Sequence, residues 1–418
     1  MNILVFLNQL SIGGTEKAAC RWAWGLNQRG HSVSVLTLQD GPRRIELDAH
    51  KIPVIVQPEK PLQLAKAIAS MKPDVIHVHA PGFLHQGDLL GEALQRLPKI
   101  PLVQTNIFGR LENPKEDAWT DYRLFISWTS AVQAARRAYR NLDLAFFEKA
   151  SIAVYPLDPD DGPPPSEIAD FRQRHKFSDS DIVFGRLSRP EPNKWTDLPL
   201  IAFRRALIEN RHLKLLLREP PPAVTTSLRQ SPDADHFCIL PATSDPKELR
   251  LTMASLDAVL HTSSIGESFG YGIAEPMNYG KPVITNSVPW GDQAQIELVQ
   301  HRECGFIAST LQTMAKAIHM LAADPALRVS MGTNAQSHIR RLADPEESLD
   351  RLEEMLEAAI QGKPNPRSNE DLKRATEAAE YLDQHQFGYT WREQLALRPF
   401  HYRVRFHQWR KAIRIACQ

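Results

Sequence analysis

Two glutamates, Glu267 and Glu275, stand eight positions apart in GESFGYGIAEPMNYGKPV, residues 266–283. Gly266, Gly270 and Gly272 crowd around the first, although a glycine inside a helix or strand costs roughly 0.5–1 kcal/mol. Two carboxylates at this distance can work as an acid–base pair, or accept hydrogen bonds from the vicinal hydroxyls of a sugar or a ribose. DAVLHTSS (257–264) reads as a strand and the start of its loop, and YGIAEPMNYG as the beginning of a helix, with Pro276 tolerated in its first turn. Phe269 and Gly270 then lie at the helix start, where backbone N–H groups and the helix dipole hold a phosphate. The plainer reading of the same residues is a cap at Glu267 and a solvated Glu275.

Three other stretches carry chemistry. VFGRLSRPEPNKW (183–195) places Arg189 and Lys194 in a proline-rich loop before a helix. Converging there, a guanidinium fork and a mobile ammonium make a diphosphate site; apart, they are two solvated loop cations. LNQLSIGGTEKAA (7–19) sets Gly13 and Gly14 between a strand and a helix, with Thr15 as the expected N-cap. That turn either lets backbone approach a ligand or is a plain tight connection. It is not the G-x-G-x-x-G of dinucleotide binders. DVIHVHA (74–80) alternates His77 and His79 on a buried strand; the two could form a metal pair, but the reading preferred is core or cleft-edge histidines, with His79, at the carboxyl end, the better site candidate.

The elements that must position these residues are legible as apolar runs of strand length. They fall at 3–7, 32–38, 54–57, 74–80, 101–105, 123–127 and 152–155, and again at 181–187, 213–218, 237–240, 257–262, 282–286 and 305–308. Continuous apolar strands alternating with helical patterns predict parallel sheets covered on both faces. LDPDDGPPPS (157–166) interrupts the rhythm as a linker. We expect an N-terminal α/β domain at 1–160, a second at 175–362, and a helical, basic tail at 363–418. The 418 residues suit two domains. A net charge of +1 gives no field pointing to nucleic acid. The scattered Cys20, Cys238, Cys304 and Cys417 form no C-x-x-C pair and fit a reducing compartment. MNILVFLNQL reads as a buried first strand rather than a leader, and a cytoplasmic location is expected.

Together these motifs resemble the retaining glycosyltransferases of the GT-B fold, and more narrowly glycosyltransferase family 4. That family reads roughly E-G-F-G-x-x-x-x-E-A-M-A-x-G-x-P-V, and this chain has E-S-F-G-Y-G-I-A-E-P-M-N-Y-G-K-P-V. The GGTE turn (13–16), RGHSVSVLT (29–37), PDVIHVHAP (73–81) and GRLSR with a lysine five beyond its last arginine agree in order. The resemblance covers about residues 1–345. It implies two doubly wound Rossmann-like domains facing a central cleft. Glu267 would contact the donor sugar, Glu275 the ribose, and Arg189 and Lys194 the diphosphate. Backbone at Phe269–Gly270 would add donors, and Gly13 and Gly14 would close over the phosphates.

The function implied is transfer of a sugar from a nucleotide-diphosphate donor to a glycan or lipid-linked acceptor, with no cofactor and no metal. DPD (158–160) and DAD (233–235) resemble the metal-binding Asp-x-Asp of another transferase fold, but one lies in the linker and the other just before a strand. The chain departs from the family at Asn106, where a histidine is usual, and at Arg218–Glu219, where glycines are usual. Asn106 can bond a sugar hydroxyl but cannot act as a base. These departures keep two alternatives open: a nucleotide-sugar epimerase on the same fold, and a non-catalytic sugar-binding pseudo-transferase. In the tail, seven Arg or Lys with interleaved aromatics over 391–418 suit either a helix lying on a membrane surface, peripheral on its inner face, or a helix packed across both domains.

Overall fold

All thirteen predicted strand segments form strands in the computed structural model, which describes residues 1–56, 60–80, 88–109, 119–139, 142–191 and 194–386, together with 388, 393 and 395. Among these residues two sheets assemble, and every pairing within them is parallel. The first holds β1 (Asn2–Gln9), β2 (Ser32–Gln39), β3 (Val54–Val56), β4 (Val75–Ala80), β5 (Leu102–Asn106), β6 (Tyr122–Phe125) and β7 (Ala150–Ile152), in the order β3-β2-β1-β4-β5-β6-β7. The second holds β8 (Ile182–Leu187), β9 (Leu213–Arg218), β10 (Phe237–Leu240), β11 (Ala258–Leu260), β12 (Val283–Thr285) and β13 (Gly305–Ile307), in the order β10-β9-β8-β11-β12-β13. In each sheet the chain starts at an inner strand, builds to one edge, then returns to build to the other. The order therefore reverses between β1 and β4, and between β8 and β11. Helices diverge there, leaving a crevice at the carboxyl ends of those strands where ligands of such sheets bind.

The chain divides into two compact units, residues 1–156 with 343–380 and residues 157–342 with 381–418. The first unit buries Leu4, Phe6, Leu36, Ile76, Val78 and Leu102 from its strands against Leu64 and Ile68. The second buries Phe184, Leu215, Leu217, Leu260 and Ile284 against Phe203, Met314, Ile318 and Leu321. Each fully buried aliphatic or aromatic side chain contributes about 1.5–3 kcal/mol, so both cores are substantial.

Residues 343–362, assigned above by sequence order to the second domain, group with the first. The helix Pro345–Gln361 supplies Ser348, whose Oγ accepts from Trp22 Nε1 at 3.0 Å. It also supplies Arg351, whose buried guanidinium meets the fully buried Asp371 at 2.6 Å. Asp371 accepts from Ser151 Oγ as well, at 2.7 Å. Arg29 pairs with Glu346, Asp350 and Glu353 along the same helix. Pairing partners, rather than chain order, set this division. Most of the basic tail at 391–418 lies outside the described residues. Its one acidic residue, Glu393, is buried in the second unit, where it accepts from Ser309 N and Thr313 Oγ1, both at 2.7 Å, at the start of the helix Leu311–Ala323.

The Arg218–Glu219 departure has a local cost. Arg218 is buried and donates to Pro241 O at 3.0 Å, Thr252 Oγ1 at 2.5 Å and Glu248 at 3.2 Å. Glu219 adopts φ +53°, a left-handed conformation that suits glycine. For a residue with a Cβ that costs roughly 1–2 kcal/mol, against roughly 0.5–1 kcal/mol of extra chain entropy for glycine. Glu219→Gly is therefore expected to raise the stability of the second unit, by up to about 1 kcal/mol in urea unfolding. A loss of stability would contradict this account of the turn.

Candidate active site

The loop after β11 carries Glu267, and the loop after β8 carries Lys194; both leave the switch point of the second sheet. Lys194 Nζ lies 2.6 Å from Glu267 Oε2. The other carboxylate oxygen, Oε1, lies 3.0 Å from Nε2 of His261, the residue that follows β11. The Glu267 amide donates to Gln295 Oε1 at 2.9 Å, and its carbonyl accepts from Ala294 N at 2.9 Å. Burial by itself pushes this carboxyl group up, but the His261 hydrogen bond and the Lys194 charge outweigh it and hold Glu267 down at about 2. It is an anion throughout the neutral range. Burial pushes His261 below the usual histidine range despite Glu267, so the ring is neutral. Because a carboxylate only accepts, the neutral ring carries its proton on Nε2.

Arg186 buttresses this arrangement from below. Its guanidinium is fully buried and donates to Thr262 Oγ1 at 3.0 Å, to Thr262 O at 2.7 Å, and to the backbone carbonyl of Lys194. It also lies 4.2 Å from the centre of the Trp195 ring. One buried cation thus ties the β8 loop to the end of β11, which fixes where Lys194 departs. Burial lowers its affinity for its proton to about 9, still charged at neutral pH. Arg189, singled out from sequence as the partner of Lys194, instead projects into solvent and pairs with Glu191 at 3.2 Å.

The glycines now have separate reasons. Gly270 takes φ +101° as the N-cap of the helix Tyr271–Asn278, directly beside Glu267. Gly266 takes φ +76°, and a Cβ there would fall 1.7 Å from Asp292 O. A Cβ on Gly272 would fall 2.6 Å from Leu187 O, so that glycine lets the helix start close on the end of β8. Phe269 buries its side chain against Tyr271, with ring centres 4.9 Å apart. Glu275 is the fifth residue of the helix and half-buried; Pro276, expected in the first turn, is the sixth.

The remaining sequence candidates belong to the first unit. Gly13, not Thr15, is the N-cap of the helix Gly14–Gln28, and no side chain caps it. A Cβ on Gly13 would meet Glu16 Oε2 at 2.1 Å, because the Glu16 carboxylate folds back to accept from Gln9 and Ser11. Asn106 is fully buried at the carboxyl end of β5, in register with Ala80 of β4. His79 is buried among rings, with centres 4.4 Å from His77 and 5.4 Å from Trp22, and neither of its nitrogens has a hydrogen-bond partner among the described residues. His77 donates or accepts at Thr105 Oγ1, 2.8 Å away. Asp160 of the DPD stretch is clamped by Arg250 at 2.6 and 2.7 Å and by Tyr279, and Asp233 of DAD pairs with Arg204 at 2.9 Å.

This geometry agrees with the comparisons to known proteins. Residues 13–156 match a glycosyl transferase 4-like domain, and residues 168–338 match the glycosyl transferases group 1 domain. The chain belongs to the GT-B glycosyltransferases of the family 4 type. Its two Rossmann-like domains are those of solved structures that it resembles at low identity. Anabaena HepE, determined in complex with UDP-glucose, is 21% identical over 85% of this chain and 99% of its own, with a TM-score of 0.69. A glycosyltransferase from Rickettsia africae ESF-5 is 14% identical over 86% and 98%, with a TM-score of 0.71. A sucrose-phosphate synthase from Thermosynechococcus elongatus is 16% identical over 86% and 99%, with a TM-score of 0.67. No curated protein matches the sequence.

The buried histidine pair of the first unit makes a testable prediction. Burial drives His77 down to about 3 and His79 well below the usual range, with His77 also opposing a charge on His79. In the unfolded chain both take up protons near pH 6.5. The unfolded state then binds more protons below that pH, so their contribution is intact above about pH 7 and lost as pH falls. Urea unfolding at pH 7.5 and 5.5 is expected to show a loss of about 1 kcal/mol per histidine, and His79→Leu to remove part of it. An unchanged pH dependence in His79→Leu would place that ring in solvent.

Proposed function

We propose that this glycosyltransferase moves a sugar from a nucleotide-diphosphate donor to a glycan or lipid-linked acceptor with retention of anomeric configuration and without a metal. The observation that carries the reading is the Lys194–Glu267 pair at the β8–β11 switch point, beside the helix that starts after Gly270. Lys194 and the backbone at Phe269–Gly270 face the diphosphate, Glu267 accepts from the donor sugar's hydroxyls, and Glu275 takes the ribose. Breaking the anomeric C–O bond leaves an oxocarbenium-like sugar and builds negative charge on the leaving diphosphate. A preorganised ammonium and backbone amides aimed at that charge lower the barrier. The acceptor oxygen then bonds the anomeric carbon from the same face, and its proton passes to a leaving phosphate oxygen. No protein base is needed on this route, which accommodates Asn106.

Arg189 joins the diphosphate after leaving Glu191. An exposed ion pair contributes only about 0–1 kcal/mol, so a diphosphate displaces it readily. The family resemblance assigns Gly13 and Gly14 to phosphate binding, and Asn106 and His79, at strand ends of the first sheet, to the sugar or the acceptor. The tail at 391–418 is the segment for contact with a membrane surface, consistent with a cytoplasmic protein peripheral on the inner face; no described helix is long and apolar enough to cross a membrane.

Anabaena HepE was solved with UDP-glucose, which makes UDP-hexoses the first donors to test. With a productive donor and acceptor, Lys194→Ala and Glu267→Ala are each expected to lower the rate of nucleotide release by about 10²-fold or more, and Asn106→Ala by about tenfold. NMR of the product is expected to show the donor's anomeric configuration kept. Rates near wild type in both site variants would overturn the assignment. Conversion of the donor sugar with no acceptor added would establish the epimerase alternative.

A further inference from the structure

Glu267 has both oxygens engaged, Oε2 by Lys194 at 2.6 Å and Oε1 by His261 at 3.0 Å. The three groups are mostly or fully buried, and the cluster balances as one ammonium, one carboxylate and one neutral imidazole. His261 has a second ring nitrogen, Nδ1, that is buried and has no hydrogen-bond partner among the described residues. The charged groups that face this ring are Glu267, Lys194 and Arg186. The two cations oppose an imidazolium and the carboxylate favours one.

A diphosphate donor disturbs that balance. It brings two negative charges to Lys194 and thereby to within a few ångströms of Glu267. Like charges that close in a buried site are strongly unfavourable. Lys194 cannot neutralise both the diphosphate and the carboxylate, and the negative charge of the donor offsets the opposition that Lys194 and Arg186 otherwise offer to a charged imidazole. The group placed to restore balance is His261, which already donates Nε2–H to Glu267 and has Nδ1 available to accept a proton.

We propose that donor binding at this site is coupled to protonation of His261, which takes over from Lys194 as the cation that holds the Glu267 carboxylate while Lys194 turns to the diphosphate. One proton moves from solvent to Nδ1, and the ring becomes an imidazolium that keeps its Nε2–H on Glu267. His261 is thus a positioning residue: it touches no donor atom in this scheme and acts through Glu267. The proposal rests on the reading that Lys194 binds the diphosphate. Its consequence is that donor affinity weakens as pH rises above neutrality, although the diphosphate of a sugar nucleotide does not itself titrate there.

Isothermal titration calorimetry of the full chain with UDP-glucose, and with GDP- and ADP-glucose in parallel, tests both layers. Run in buffers of different ionisation enthalpy near pH 7.5, it reads the number of protons exchanged. The expected result is uptake of about one proton per donor bound, with affinity falling up to about tenfold per pH unit above the transition. His261→Asn keeps a hydrogen-bond donor for Glu267 but cannot titrate, so it is expected to bind donor with no proton uptake and a flat pH profile. His261→Gln serves if the asparagine variant melts early. A merely structural histidine would lower affinity and leave the proton count unchanged, and that result overturns the proposal. Binding by wild type with no proton uptake overturns it as well. Lys194→Ala separates the layers: if it weakens binding about tenfold or more while wild type takes up no proton, the diphosphate reading stands and the coupling falls. If Lys194→Ala binds donor as wild type does, or if no sugar nucleotide binds wild type, both fall.

Discussion

A buried carboxylate can stay ionised only if the protein surrounds it with compensation, and the second unit is organised around that requirement at Glu267. Lys194 supplies charge, His261 supplies a hydrogen bond, and the carboxyl group is held at about 2 despite its burial, while Gln295 Oε1 accepts from the Glu267 backbone N–H and fixes the main chain. Removing an ammonium from such a pair leaves an uncompensated anion, which costs more than the pair itself stabilises. The site therefore depends on the two loops that deliver Lys194 and Glu267 arriving together. Arg186 secures this by binding the carbonyls of Lys194 and Thr262 at once, one on each loop.

The sheet makes that convergence unavoidable. β8 and β11 are neighbours, with Val259 opposite Gly185, and the helices that follow them run to opposite sides. Their loops consequently begin side by side and open outward. Close approach then needs small residues at particular places. Gly272 admits the Leu187 carbonyl, and Gly266 lets the loop pass Asp292. These are packing constraints, and only Gly270, which caps the helix with φ +101°, gives a left-handed turn directly at the Glu267 side chain. The cluster that drew attention in the sequence thus serves backbone packing at two positions and site geometry at one.

What sequence reasoning could see follows from what is local. Every strand named from its apolar run formed within a few residues, because a strand buried on both faces must be apolar throughout. β7 lies two or three residues earlier than its apolar run, at Ala150–Ile152 rather than 152–155. Glu267 and Lys194 were legible because their neighbours, glycine and proline, punctuate the loops that carry them. Arg186 and His261 were not singled out. Both sit at the ends of apolar strands, and whether such a residue turns inward depends on partners 76 and 6 positions away. The one available signal was a polar residue closing an otherwise apolar run, as in DAVLHT. Arg189 drew attention by its spacing to Lys194, yet spacing along a loop does not say which cation the fold buries. The helix Pro345–Gln361 was assigned by chain order, whereas Trp22, Arg29 and Asp371 hold it to the first unit.

The central claim is that Lys194 and Glu267 act as one charge-coupled unit. A double-mutant cycle in urea unfolding tests it most directly, with Lys194→Met, Glu267→Gln and the double variant compared with wild type at pH 7.5. The account predicts that the single variants together cost more than the double, with a coupling of about 2–4 kcal/mol. Additivity within about 0.5 kcal/mol would contradict it, and would mean that the two residues are neighbours without being partners.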